Sequence, residues 1–143
     1  NNINLHSVDK VWGKDLLENI SPPKRVEVNN YPPFEELKQL VKDNPYFRFP
    51  ELTYMSTTIH YMTKNTGIQW HNDGKWKYGA TYYLNRRWNR NWGGEFMFMD
   101  GTGAGFVPLV SNSMVIVKAP IEHKVNQILS PVMPRLSVQI FMK

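Results

Sequence analysis

The chain has 143 residues, one domain's worth, and enough to bury a real core. With 41% hydrophobic and 20% charged residues, its composition is that of a globular protein and excludes a disordered one. It carries a formal charge of +5 and no cysteine, which excludes disulfides and thiolate metal sites. Residues 1–10 are mostly polar and do not read as a secretory signal, and no apolar run is long enough to span a bilayer. A cytoplasmic protein without a membrane partner is therefore expected.

Two helices are predicted first. Residues 13–20 place Leu16, Leu17 and Ile20 at helical spacing. Residues 33–44 are stronger, with Phe34, Leu37, Leu40 and Val41 on one stripe. Pro33 suits a first turn and Pro45 ends the run. From Leu52 onward, short strands are predicted at 53–62, 79–84, 95–99, 113–118, 123–129 and 135–142. Asn65-Thr66-Gly67, Gly93-Gly94, Asp100-Gly101 and Ser130-Pro131 punctuate them. Gly101, Gly103 and Gly105 are followed by no helical pattern, so a hairpin loop is expected there and not a phosphate loop. The expected fold is mainly β with flanking helices, a double-sheet jelly roll in a single domain. Residues 1–50 would supply helical support and residues 51–143 the β core.

The last strand is two-faced. Leu136, Val138, Ile140 and Met142 make an apolar face. Arg135, Ser137, Gln139 and Phe141 make the other, which is poor core material and plausible lining for a polar pocket.

His71-Asn72-Asp73 is a His-x-Asp triplet. On an extended segment its outer residues point the same way, roughly 6–7 Å apart, and can close on one ion. Alone the triplet is a weak signal: with 4 His and 12 acidic residues, about one such chain in three carries an H-x-D/E by accident. A histidine hydrogen-bonded to a turn aspartate explains it equally. His123, which opens a later strand, offers a third ligand; a half-buried strand histidine is its alternative. Its strand and the Arg135 strand are expected to be antiparallel neighbours, because the connection is short. Two histidines and a carboxylate on one face of a metal is the arrangement of non-heme Fe(II) oxygenases. Arg135 would then offer its guanidinium fork to an anionic cosubstrate, or else to one of the protein's own acids. His6 and His60 have no comparable context and receive no site role. His60 should face away from Tyr61.

Lys75, Lys77, Arg86, Arg87 and Arg90 interleave with Trp70, Trp76, Trp88 and Trp92. Such mixing suits single-stranded nucleic acid. A solvated basic edge and tryptophans used for packing is the simpler reading.

In order along the chain stand Tyr61 six residues before Gly67, His71-Asn72-Asp73 and Thr81-Tyr82-Tyr83-Leu84-Asn85. Trp88, Gly93-Gly94-Glu95, His123-Lys124-Val125 and Arg135-Leu136-Ser137 follow. From about residue 57 to residue 141 this series resembles the prolyl 4-hydroxylase branch of the Fe(II)- and 2-oxoglutarate-dependent dioxygenases. The resemblance implies a double-stranded β-helix, cupin-like in outline. It implies His71, Asp73 and His123 as iron ligands, with Arg135 and Tyr83 holding the distal carboxylate of 2-oxoglutarate. Tyr61 would line the cosubstrate pocket, and Gly93-Gly94 would start a strand tightly near its mouth. Trp88 would be structural. Phe141 would lie beside the substrate, with Trp70, Arg87 and Glu95 as further lining. The cofactors implied are Fe(II), 2-oxoglutarate and O2, with ascorbate as a candidate reductant, and the products are succinate, CO2 and a hydroxylated substrate.

A peptidyl proline is the leading substrate. The short stretch between Asp73 and Thr81 keeps a free amino acid or another small molecule as its rival. Two other classes remain: a cupin-like metal isomerase or sugar-binding roll, and a non-catalytic module, with nucleic acid the lesser expectation as partner.

Overall fold

An eight-residue alternating strand at the end of the chain can pair on both edges and bury both faces, and the architecture follows from that. The computed structural model describes residues 6–7, 23–49 and 52–143. Its elements are β1 (His6–Ser7), β2 (Lys24–Glu27), α1 (Pro32–Asp43), β3 (Met55–Met62), β4 (Ile68–His71) and β5 (Tyr78–Tyr83). A 3-10 turn (Arg90–Trp92) leads to β6 (Phe96–Met99), β7 (Ala104–Val107), β8 (Met114–Lys118), β9 (His123–Val125) and β10 (Arg135–Met142). One sheet has the order β1-β2-β3-β10-β5-β8 and the other β4-β9-β6-β7, with every pairing antiparallel. This is the double-stranded β-helix expected from the sequence.

β10 runs between β3 and β5, so neither of its edges is left open. Its apolar face contributes Val138, Ile140 and Met142 to a core with Tyr78, Ala80 and Val41. Phe34 and Leu37 of α1 pack on that core, as do Phe47 and Phe49, whose rings meet Tyr78 edge-on. The helix begins on two prolines, and the Asn44 side chain ends it by accepting from the Tyr46 and Phe47 amides. A second cluster of Met62, Ile68, Val125 and Ile128, with Trp88 against it, ties the two sheets together at one end. No described helix is long and apolar enough to cross a membrane.

Several expectations need correction. The predicted helix at 13–20 lies outside the described residues. The amino-terminal part is not helical support alone, because β2 adds to the large sheet alongside β3. β4 and β7 were not expected, each being only four residues long. The 123–129 strand stops at Val125, and β9 and β10 are not neighbours but lie in different sheets. Past Val125, the amides of Asn126, Ile128 and Leu129 donate to Glu95, Thr66 and Trp92, three separate partners in place of one ladder. That segment carries the chain from one sheet to the other. Asp100 to Gly103 form the expected hairpin loop, with the Asp100 carboxylate accepting from Thr102 and Gly103.

Ile140 is fully buried in the β10 core. Ile140→Ala should cost about 2–5 kcal/mol of stability, read as a lower urea midpoint with an unchanged slope.

Candidate metal centre

His71 closes β4 and His123 opens β9, and the two are direct cross-strand partners. Their side chains therefore rise from the same face, with ring centroids 4.4 Å apart. Asp73 stands two residues past His71, in the turn after the strand, where the Asn72 side chain accepts from the Gly74 amide. Its Oδ1 lies 3.8 Å from His71 Nε2 and its Oδ2 3.7 Å from His123 Nε2. One donor atom from each of the three residues falls within 4.8 Å of the others. Both nitrogen-to-oxygen separations are within the about 4.4 Å that two donors 2.2 Å from a common ion can span.

The chemistry of the donors suits a cation. His71 Nδ1 lies 2.7 Å from the Gln69 carbonyl, and His123 Nδ1 lies 3.0 Å from the Ile121 carbonyl. A carbonyl only accepts, so each Nδ1 carries the proton and each Nε2 presents its lone pair toward Asp73. Burial holds the His71 pKa below the usual histidine range, which favours the neutral, ligating form. Phe96 stacks on the His123 ring at 5.2 Å and fixes its plane. Gly79 of β5 makes room for the carboxylate, since a Cβ there would lie 2.6 Å from Asp73 Oδ2.

The triad opens into a cavity of about 440 Å³ between the sheets. The polar face of β10 provides one wall through Gln139 and Phe141, and Gln139 accepts from the Thr81 hydroxyl at 2.7 Å. Arg25 and Glu27 of β2 line the same space and pair at 3.3 Å. Trp76 and Phe141 stack at its rim.

Arg135 sits on the same β10 face and is wholly buried. Nε donates to the Gly94 carbonyl at 3.1 Å, and Nη1 donates to Ser137 Oγ at 3.0 Å and meets the Met62 sulfur at 3.5 Å. Nη2 and the nearby buried Tyr83 hydroxyl find no partner beyond each other. The guanidinium lies 5.1 Å from the Tyr83 ring centroid. Among the described residues no carboxylate reaches Arg135. Burial raises the Tyr83 pKa, so its hydroxyl keeps its proton and can donate. A buried guanidinium with no carboxylate, beside a hydroxyl that can donate, fits an anionic oxygen ligand, since leaving a buried charge uncompensated is costly.

The structure therefore brings His71, Asp73 and His123 together, and Arg135 beside Tyr83. It does not bring Tyr61 to them. Side chains alternate along β3, and Arg135 pairs with Met62 and Ser137 with His60. Met62 and His60 thus share the inner face, while Tyr61 is on the outer one. Phe141 lines the cavity, but Trp70, Arg87 and Glu95 do not. Trp70 points away from His71 and lies under the Lys124 ammonium, Arg87 is exposed, and the Glu95 carboxylate accepts from Asn126. Gly93 and Gly94 stand at the Arg135 end, with φ of +68° and +77°, where a Cβ on Gly94 would crowd Ile128 and the Arg135 stem. Trp88 is structural, donating to the Gly93 carbonyl at 2.9 Å. His60, Gly79 and Trp76 were missed. The alternation of His60 with Met62 was the available signal for the first.

The chain is similar in sequence to a described family: the model of the 2OG-Fe(II) oxygenase superfamily matches residues 57–143. No curated protein sequence matches it. Among solved structures it is similar to a Pseudomonas putida prolyl-4-hydroxylase at TM-score 0.67 and 15% identity, covering 88% of this chain and 73% of that one. It is similar to a Trichoplax adhaerens prolyl hydroxylase, solved with a hypoxia inducible factor peptide fragment, at TM-score 0.69 and 12% identity, covering 98% and 70%. A Burkholderia pseudomallei oxidoreductase of the 2OG-Fe(II) oxygenase family gives TM-score 0.64 and 18% identity, covering 85% and 65%.

Two outcomes follow from the geometry. Gly79→Ala should leave the circular dichroism spectrum intact but weaken iron binding by about 10–100-fold, by pushing the Asp73 carboxylate aside. Burial, above all, pushes the His60 pKa from the ordinary histidine value of about 6.5 down to about 3. The unfolded chain takes up this proton below pH 6.5, and the folded chain only near pH 3. Stability supplied by neutral His60 is therefore complete above pH 6.5 and lost as pH falls toward 3. Urea midpoints across that window should fall less steeply in His60→Asn than in the parent protein.

Proposed function

Because the chain belongs to the 2OG-Fe(II) oxygenase superfamily, we propose that His71, Asp73 and His123 hold Fe(II) and that Arg135 and Tyr83 hold the distal carboxylate of 2-oxoglutarate. The observation that carries this reading is a pair of buried groups, Arg135 Nη2 and Tyr83 Oη, that find no partner beyond each other and no carboxylate, on the face that also lines the triad's cavity. Bound iron and O2 supply the oxidation, in which 2-oxoglutarate becomes succinate and CO2, one oxygen atom entering succinate and the other a substrate C–H bond.

The protein's own groups do the positioning. The Gln69 and Ile121 carbonyls hold the two imidazoles in one tautomer, and Gly79 lets the Asp73 carboxylate approach. Arg135 has no competing acid, so its charge is available to the cosubstrate. His60 lines the wall as a neutral imidazole and adds no third cation between Arg25 and Arg135. Ile68, Phe96, Val117 and Val125 make the apolar part of the lining and keep water from the reacting side.

The substrate reading that fits best is peptidyl proline 4-hydroxylation. It is supported by the overall likeness to two prolyl hydroxylases, one of them solved with a peptide fragment. Phe141 on the cavity wall offers an apolar surface for a ring. A free amino acid or small molecule is the second reading, favoured by the short turn between Asp73 and β5. Ascorbate would serve only as a reductant for the iron.

The test is turnover of 2-oxoglutarate by anaerobically purified, Fe(II)-loaded protein on admitting O2. Succinate should form, with a gain of one oxygen in a proline peptide. No succinate with or without any substrate would overturn the oxygenase reading, and oxygen gain only in free amino acids would favour the second. In calorimetric titration, Arg135→Ala should lose about 2–4 kcal/mol of 2-oxoglutarate affinity, because a desolvated bidentate contact is removed.

A further inference from the structure

The basic, aromatic stretch after Asp73 is only partly used by the metal centre. Lys75 and Trp76 lie in the turn that delivers Asp73, and both line the cavity. Trp76 is the middle ring of a stack, 5.5 Å from Phe141 on the cavity side and 6.0 Å from Tyr54 on the outer side. Two ammonium groups sit on the Trp76 ring, Lys143 Nζ at 4.9 Å and Lys75 Nζ at 5.3 Å from its centroid.

The backbone holds this arrangement. The Lys143 amide donates to the Tyr54 carbonyl at 3.0 Å, and its own carbonyl accepts from Thr53 at 2.7 Å. The Trp76 amide donates to the Asp73 carbonyl at 3.2 Å, and Lys77 donates to Met142 at 2.8 Å. The three rings therefore project from paired backbone.

The charges at this mouth do not balance. Of the cavity's two carboxylates, Glu27 is matched by Arg25, and Asp73 faces the two histidines. Neither Lys75 nor Lys143 reaches a carboxylate among the described residues. Two cations that meet no carboxylate among the described residues, on an aromatic platform beside the opening to the triad, call for an anionic partner with some apolar surface. Tyr54 is half exposed and lies outside the cavity, so the contact extends beyond the group that reaches the metal centre. Arg86, Arg87 and Arg90 do not line this cavity, so no longer phosphate track leads into it.

We propose that the Trp76 rim docks an acidic segment of a peptide substrate, with Lys75 and Lys143 contacting its carboxylates and Tyr54 and Trp76 its apolar atoms. This rests on the oxygenase reading above. Glu or Asp beside the hydroxylated residue would be read at the rim while that residue enters past Phe141.

The test uses Fe(II)-loaded protein with 2-oxoglutarate under anaerobic conditions and dye-labelled peptides with one central proline, flanked by Glu, Ser or Lys. Anisotropy at low salt should rank them Glu, Ser, Lys, with Glu over Lys by about ten-fold, and the gap should close at high salt. The double variant Lys75→Glu, Lys143→Glu should reverse the order. Equal affinities, an order unchanged in the double variant, or a single-stranded oligonucleotide that outcompetes the Glu-flanked peptide would overturn the proposal. Succinate formation by the unaltered protein, both with and without peptide, is measured separately. Its absence would fall on the oxygenase reading, while a flat peptide ranking with normal succinate formation would fall on the rim alone.

Discussion

The two-residue alternation of β10, paired on both edges, is the constraint on which the rest of the molecule depends. Its apolar face closes the core under α1, and its polar face lines a cavity. A slip of one residue against β3 would exchange the two sets, putting Arg135 against the helix and Ile140 in the cavity. The same register decides which residues of β3 and β5 enter the site. His60, Thr58 and Ser56 go in with Ser137, Gln139 and Phe141, and so do Tyr83, Thr81 and Gly79.

The buried guanidinium illustrates how binding and stability oppose each other here. Removing a cation from water costs several kcal/mol unless hydrogen bonds and an opposite charge replace the lost solvation. Arg135 recovers part of that through the Gly94 carbonyl, Ser137 and Tyr83, and no carboxylate meets it among the described residues. A protein selected only for stability would match or remove such a group. Its retention beside a protonated Tyr83 makes sense if a dicarboxylate completes the pairing on binding, which would also stabilise the folded chain. The candidate metal centre has the same logic, with three donors held in place by backbone carbonyls, a stacked Phe96 and a glycine.

Much was legible in the residues, though unevenly. The boundaries of β10 and the faces it presents could be read directly, because eight residues of strict alternation carry a strong local signal. α1 was equally readable from its stripe and its prolines. His71 and Asp73 could be paired because their separation is local. Tyr61 failed for an instructive reason. Its place six residues before Gly67 matched the family pattern, but spacing along the chain does not report which face a residue occupies once a turn intervenes. Trp70, Arg87 and Glu95 failed similarly, being near the motifs in sequence and outside the cavity in space. β4 is too short for periodicity to identify it, and the strand predicted at 123–129 overlapped β9 without revealing its end or its partners.

By itself, then, the sequence determined the donor chemistry, the family and the two faces of the final strand, because these are set by residue identity and local spacing. Only the tertiary structure decided that His71 and His123 are cross-strand partners and that β9 and β10 belong to different sheets. It alone decided which of the two opposite faces of β3, that of His60 or that of Tyr61, turns inward. It also decided that Gly79 must lack a side chain and that two lysines share one tryptophan at the mouth. These depend on sheet register and on contacts between segments far apart in the chain, and no local pattern of residues encodes them.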